Sequence, residues 1–246
     1  MRLDVELVNR GLFESREKAK YAIEKKSVCV NGKTIIKASF QVDPANDDIA
    51  LVTLALPYVS LGGLKLEKAI LDFKLDFVGK TLLDVGASTG GFTDCAIQSG
   101  AAKVFAVDVG TEQLHPSLKG RLEVISLENL NLKNVRLEHL EGEKVDIILM
   151  DVSFTSQIPL FPHIQKLLKK DGFFLSLVKP QFEMETHKRF KGGIVRDEKE
   201  HAVILDRIES AAAEHGLLLQ KVSEAPEQEG KNKEYLALFS PAWLEE

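Results

Sequence analysis

The sequence predicts an α/β protein: a doubly wound, mainly parallel sheet preceded by a small α+β head. Three observations carry this reading. From Lys80 onward, apolar strand-like runs alternate with helical periodicity over about 165 residues. The first of those runs ends in an Asp and a glycine-rich turn that opens a helix, Asp84 to Phe92. Charge also changes along the chain. Residues 1–42 hold nine Lys/Arg against five Asp/Glu, a net of +4 in a chain of net −5, so the remainder carries −9. A basic head on an acidic body suggests a targeting module joined to something else, although a merely solvated basic surface reads the same way.

Composition sets the limits. The chain has 246 residues, 44% apolar and 28% charged, and Gly plus Pro make 25 positions (17 and 8). That supports a real core and argues against bulk disorder. The apolar run 172–178 is far too short to span a membrane, and Met1 to Glu6 lacks the apolar stretch of a secretory signal. Cys29 and Cys95 cannot build a disulfide framework or a four-cysteine zinc site. The expectation is a soluble cytosolic protein.

In the head, Leu3, Val5, Leu7 and Val8 fit a short amphipathic helix, closed by Gly11-Leu12. Ser15 is a good N-cap for a second helix over 16–25, without a capping box. Val28-Cys29-Val30 reads as a strand, Asn31-Gly32 as a hairpin turn, and 34–36 and 49–52 as further strands. The head thus spans 1–52, with a linker at 53–59 punctuated by Pro57 and a body over 60–246. The body opens with a helix over 64–71. Strands follow at 81–85, 103–108, 121–125, 145–150, 172–179, 217–222 and 234–239, and helices at 92–98, 158–169 and 198–215. The ligand site of such a sheet lies at the C-terminal strand ends.

Arg2-Leu3-Asp4, Gly11-Leu12, Ser15-Arg16, Ala19, Ile23 and Val28-x-Val30-Asn31-Gly32-Lys33 resemble the S4 RNA-binding domain over nearly the whole head. The resemblance implies RNA contact through the head's cations, for which Arg2, Arg16, Lys20, Lys25, Lys26 and Lys33 are the candidates. One departure stands out: the family's glycine before the strand is replaced by Lys26 or Ser27, so the turn lacks glycine's freedom of φ.

In the body, the glycines sit at 86, 90 and 91, which is neither G-x-G-x-x-G nor a P-loop. Asp84-x-Gly86-x-Ser88-x-Gly90-Gly91-Phe92 resembles instead the S-adenosylmethionine loop of Rossmann-like methyltransferases, with Asp84 toward the amino acid end of the cofactor. Asp108 lies 22 residues after Gly86 at the next strand end, where a carboxylate can accept from both ribose hydroxyls. Glu128 and Asn129 are candidates for the adenine edge, with a solvated loop as the plain alternative.

The fourth strand runs into Asp151-Val152-Ser153-Phe154 and lacks the Asn/Asp-Pro-Pro-Tyr/Phe pattern of amino-directed methyltransferases. Neither cysteine is placed to attack a base. The target therefore shifts toward a hydroxyl. A hydroxyl needs a base, and Lys179 ends the buried run 175–178; burial and a neighbouring cation favour the neutral amine of such a lysine. Lys65 is the second lysine in reach, Asp151 sits between the two, and Glu234 begins the last strand. Each alone is explained by a surface ion pair; together, at matching strand ends, they favour a site.

With 58–66, 84–94, 107–110, 151–154, 178–183, 191–197 and 232–235, the chain resembles the TlyA family from end to end. The resemblance implies an FtsJ-like, S-adenosylmethionine-dependent rRNA 2′-O-methyltransferase acting on cytidine, with 23S rRNA more suited to this short chain than 16S. It places the family's Lys-Asp-Lys-Glu tetrad on Lys65, Asp151, Lys179 and Glu234. Some family members carry the label hemolysin. Leu61 departs from the family's Arg, and 127–131 lacks its Arg-Thr pair. The expected partner is ribosomal RNA or a ribosomal subunit, with no membrane and no metal, since a sulfonium is already an activated leaving group; oligomeric state stays open. A catalytically silent RNA-binding or assembly factor and a membrane-active hemolysin are the rival expectations.

Overall fold

Apolar residues three and four apart fold the head. Helices α1 (Leu3–Asn9) and α2 (Arg16–Glu24) bury Leu3, Leu7, Ala19 and Ile23 with Phe13, Val28, Val30 and Val42 in one small core. Ser15 caps α2 as expected, its Oγ accepting from the Lys18 N–H at 3.3 Å. Strands β1 (Val28–Val30), β2 (Lys33–Thr34) and β3 (Ile49–Leu51) form an antiparallel sheet in the order β2-β1-β3. Asn31 and Gly32 turn β1 into β2 with φ of 49° and 75°, as a two-residue hairpin requires. β2 stops two residues short of the expected Ile36: the Ile35 N–H still bonds the Val28 carbonyl (2.9 Å), but Val28 is the first residue of β1, so Ile36 lies past its end and stands exposed. Lys26, at the position of the missing glycine, takes φ 61°, a left-handed conformation that costs a side-chain-bearing residue about 1 kcal/mol.

The computed structural model describes residues 1–51, 56–184, 194–227 and 230–242 and separates into two units, Met1–Leu61 and Gly62–Glu246. Residue 52 of the expected third head strand, linker residues 53–55 and residues 191–193 of the family pattern lie outside the described residues.

The second unit opens with α3 (Gly62–Phe73) and builds a seven-stranded sheet from β4 (Thr81–Val85), β5 (Lys103–Val107), β6 (Val124–Leu127), β7 (Val145–Met150), β8 (Leu168–Val178), β9 (Leu217–Glu224) and β10 (Tyr235–Pro241). Its order is β6-β5-β4-β7-β8-β10-β9. The first five strands pair in parallel, and β10 runs antiparallel to both β8 and β9. The expected mainly parallel sheet is therefore present. Helices α4 (Gly91–Gln98), α5 (Phe161–Leu167), α6 (Pro180–Glu183) and α7 (Glu198–Glu214) complete the unit. Burial on both faces explains the near-continuous apolar runs, such as β7, where every residue but Asp146 is buried. The chain leaves β4 toward β5 on one side and reaches β7 on the other, so a crevice opens at the C-terminal end of β4.

Of the boundaries that differ from the sequence reading, three bear on the site. The third strand of this sheet begins at Val124 and not Arg121, because β5 starts at Lys103 and its Val104 N–H already bonds the Glu123 carbonyl (2.8 Å); residues 121–122 have no strand to pair with. The helix expected over 158–169 is a 3₁₀ turn at Ile158–Leu160 followed by α5, and Leu168 is already in β8. β8 ends at Val178, leaving Lys179 as the N-cap of the short α6, a helix the sequence reading omits.

Candidate active site

Asp84, one residue from the end of β4, is fully buried. Its Oδ2 accepts from Thr93 Oγ1 on α4 at 2.6 Å, while its Oδ1 has no partner among the described residues. Burial pushes the carboxyl up to about 7 against the pull of Thr93, and the charges of Asp151 and Asp108 push the same way. The next residues turn sharply. Gly86 takes φ 82°, Ser88 48° and Gly90 91°. A Cβ on Gly86 would lie 2.6 Å from the Asp151 carbonyl oxygen, so only glycine fits there. Gly90 is the N-cap of α4, and Gly91 and Phe92 are buried in its first turn.

Asp108 fixes this loop. Its Oδ2 accepts from the Ser88 N–H at 2.8 Å and its Oδ1 from the Gly110 N–H at 2.7 Å. Gly86, Ser88, Asp108, Leu130, Asn131, Lys133 and the segment 151–156 line a cleft of about 570 Å³. Of the expected cofactor residues, Gly86, Ser88 and Asp108 thus face the cleft. Asp84, Gly90, Gly91 and Phe92 are buried and are not among its lining residues. Glu128 is not among the lining residues; its Oε2 accepts from the Glu112 N–H (2.7 Å), and its Oε1 is buried with no hydrogen-bond partner among the described residues. Asn129 bonds the Gly110 carbonyl through its N–H (3.1 Å), and Leu130 and Asn131 take the wall instead.

A cationic, adenosine-bearing cofactor fits these residues. Asp84 Oδ1 is a buried acceptor with no donor among the described residues, the nearby Asp151 and Asp108 charges raise the proton affinity of Asp84, and the bare Gly86 backbone allows close approach.

The four residues of the expected tetrad form two ion pairs. Lys179 Nζ contacts Asp151 Oδ1 and donates to Ser153 Oγ at 2.7 Å. Lys65 Nζ, on α3, donates to Glu234 Oε2 at 2.6 Å. Asp151 is therefore the ion-pair partner of Lys179, and Glu234 that of Lys65. The strand register aligns the pairs: Tyr235 lies opposite Val178 and Met150 beside Ser176, so Lys179 is flanked by the end of β7 and the start of β10. All four side chains are at most 22% exposed. Phe154, next along the rim, is 92% exposed, has φ 63° and packs on Phe182 with ring centroids 5.3 Å apart.

Two features escaped the sequence reading. Ser153 is a direct partner of Lys179, and only the fold shows it. His201, buried on α7, meets Tyr235 Oη (2.7 Å) through Nδ1 and the Val195 carbonyl (3.0 Å) through Nε2. A carbonyl only accepts, so Nε2 carries the proton, and the ring ties the start of β10 to residues 194–197.

In the head, Arg2 and Arg16 converge on one buried carboxylate, Asp4, with Arg2 Nε at 2.8 Å and Arg16 Nη2 at 2.9 Å. Burial opposes the Asp4 charge, but the two guanidiniums outweigh it and hold the carboxyl below its ordinary value. Lys25 lies over the Tyr21 ring at 5.6 Å. Lys20, Lys26 and Lys33 are exposed.

Comparison with known proteins follows the two units. The model of the S4 domain matches residues 1–49, and that of the FtsJ-like methyltransferases matches residues 58–239. Hemolysin A of Brachyspira hyodysenteriae is 40% identical, over 97% of this chain and 99% of its own. The 23S rRNA (cytidine-2′-O)-methyltransferase TlyA of Campylobacter jejuni is 37% identical, over 92% of this chain and 93% of its own. A solved structure from Streptococcus thermophilus, named as a candidate hemolysin, aligns with a TM-score of 0.76 at 36% identity, over 98% of this chain and 88% of its own. Among the described residues, no helix is long and apolar enough to cross a membrane.

Proposed function

We infer, from the premise that this chain belongs to the FtsJ-like methyltransferase family and carries an S4 domain at its N-terminus, that it methylates a ribose 2′-hydroxyl of ribosomal RNA. The cytidine 2′-hydroxyl of 23S rRNA is the specific target we propose, following the printed activity of the Campylobacter relative. The observation that carries the reading is the pair of lysine–carboxylate contacts at neighbouring strand ends, with Asp151 and Ser153 also lining the cleft.

Gly86, Ser88 and Asp108 would hold S-adenosylmethionine, which would supply a methyl carbon already activated by its sulfonium. The protein's own task is to place the hydroxyl and take its proton. Lys179 Nζ accepts that proton as the free amine, after the ammonium of the resting ion pair has released its own proton to solvent, and Asp151 and Ser153 fix where that nitrogen points. Lys65, pinned by Glu234, adds a second positive charge close to the developing oxyanion. Positioning supplies much of the rate. Phe154 offers an exposed ring on which a base can stack at the rim.

The head supplies RNA affinity. Arg2 and Arg16 are held side by side by Asp4 with side chains 43% and 55% exposed, which suits phosphate recognition. The test is transfer of labelled methyl from S-adenosylmethionine to unmodified 23S rRNA, with the product nucleotide mapped. Label on a ribose oxygen supports the reading; no transfer to any rRNA overturns it.

A further inference from the structure

Glu183 ends α6, the turn that begins at Lys179, and is 2% exposed. A carboxylate that deep must be held by donors. Its Oε2 accepts from Ser156 Oγ at 2.6 Å and its Oε1 from the Gln157 N–H at 2.8 Å. Gln157, itself 1% exposed, accepts through Oε1 from Ser176 Oγ, a fully buried residue of β8 three positions before Lys179. Ser156 Oγ also accepts from the Ile158 N–H at 3.3 Å, which starts the 3₁₀ turn.

These bonds close a loop around the site. The segment 151–156 forms one wall of the cleft and carries both partners of Lys179, Asp151 and Ser153. Its first residue is fixed to β4, where the Asp151 N–H donates to the Val85 carbonyl at 3.0 Å. Its far end is held by hydrogen bonds from Ser156 and Gln157 to Glu183 on the Lys179 turn and by the bond between Gln157 and Ser176 on β8, beside the Phe154–Phe182 ring contact.

We propose that Glu183 is a positioning residue: its buried carboxylate clamps the 151–156 wall to the Lys179 turn, so that one group sets both the shape of the cofactor cleft and the register of the lysine against Asp151 and Ser153. The proposal rests on the methyl-transfer reading for its effect on turnover, but not for its effect on the cleft.

The experiment compares Glu183→Ala, Glu183→Asp and Glu183→Gln in the full chain. Cofactor affinity is read by titration with S-adenosylhomocysteine, and kcat by methyl transfer to 23S rRNA at saturating cofactor. Both are expressed per folded molecule, well below each variant's melting temperature. Glu183→Ala frees the far end of the wall. It is expected to weaken cofactor binding several-fold and lower kcat by about 10²-fold, the cost of a misplacement near 1 Å. Glu183→Asp is one methylene short of reaching both donors and behaves alike. Glu183→Gln keeps the length: its Oε1 accepts from Gln157 and its Nε2 donates to Ser156 Oγ, which has a lone pair to receive it. It is expected to restore affinity and kcat close to wild type.

A merely structural role lowers the folded fraction and leaves both constants per folded molecule unchanged, and that result for Glu183→Ala overturns the proposal. Equal loss in Glu183→Gln and Glu183→Ala overturns it as well. If the wild type transfers no methyl to rRNA, the methyl-transfer reading fails, and the clamp is still judged by S-adenosylhomocysteine affinity: weakened in Glu183→Ala and restored in Glu183→Gln supports it, unchanged in both overturns it.

Discussion

The roles proposed for Asp84 and Lys179 are each open to their own test. Lys179→Ala removes the proposed proton acceptor, whose side chain is not among those lining the cleft. Methyl transfer is expected to fall by at least about 10²-fold with cofactor affinity kept; near-wild-type turnover would remove Lys179 from its role. Asp84 is tested by pH. Its folded-state value of about 7 lies above the ordinary 3.8, so between those values the folded chain holds a proton that the unfolded chain has released. This group therefore costs nothing below the lower value. It withdraws stability progressively as pH rises from 3.8 to about 7 and imposes its full cost above that. Urea unfolding of the ligand-free protein between pH 4.5 and 7.5 is expected to show this decline in the wild type and a flatter profile in Asp84→Asn. Equal slopes would contradict the assignment. Both residues are legible in the sequence, because an Asp before a glycine turn and a Lys after a buried run are local patterns. Ser153, Glu183 and His201 are not, since their partners lie 26, 26 and 27, and 34 and 6 residues away and only the fold brings them together.

Elements follow the same rule. The strands that lie centrally, β4 and β7, have the bounds expected from their apolar runs, because burial on both faces leaves no other signal. The ends that depend on a neighbour are harder to read: β6 begins at Val124, which pairs with Val104 near the start of β5, and not at the expected Arg121. Periodicity also cannot separate the end of α5 from the start of β8, where Leu167 and Leu168 are both buried. The turn between α2 and β1 gives a direct test. Lys26 holds φ 61° there, so Lys26→Gly relieves the strain and is expected to stabilise the head by about 1 kcal/mol. Slower hydrogen exchange across β1, β2 and β3 in the full chain would show it, and unchanged or faster exchange would contradict it. If the Lys26 charge meets a phosphate, the same variant lowers the log–log salt slope of RNA binding by roughly 0.7–0.9.

The whole molecule joins a basic head to an acidic body, +4 in residues 1–42 against −9 in the rest. A division of labour follows. Removing residues 1–52 is expected to weaken rRNA binding and flatten its salt dependence while S-adenosylhomocysteine affinity stays near wild type; an unchanged salt slope would show that the head does not contact phosphates. The central claim is the identity of the methylated atom. A 2′-O-methyl group blocks attack of that oxygen on the adjoining phosphate, so the modified linkage resists alkali. The most direct measurement is alkaline hydrolysis of 23S rRNA labelled by the wild-type protein. Label in an uncut dinucleotide, with cytidine as its 5′ nucleoside, is the expected result. Label released on a free base after glycosidic cleavage would contradict the hydroxyl assignment and, with it, the role given to Lys179.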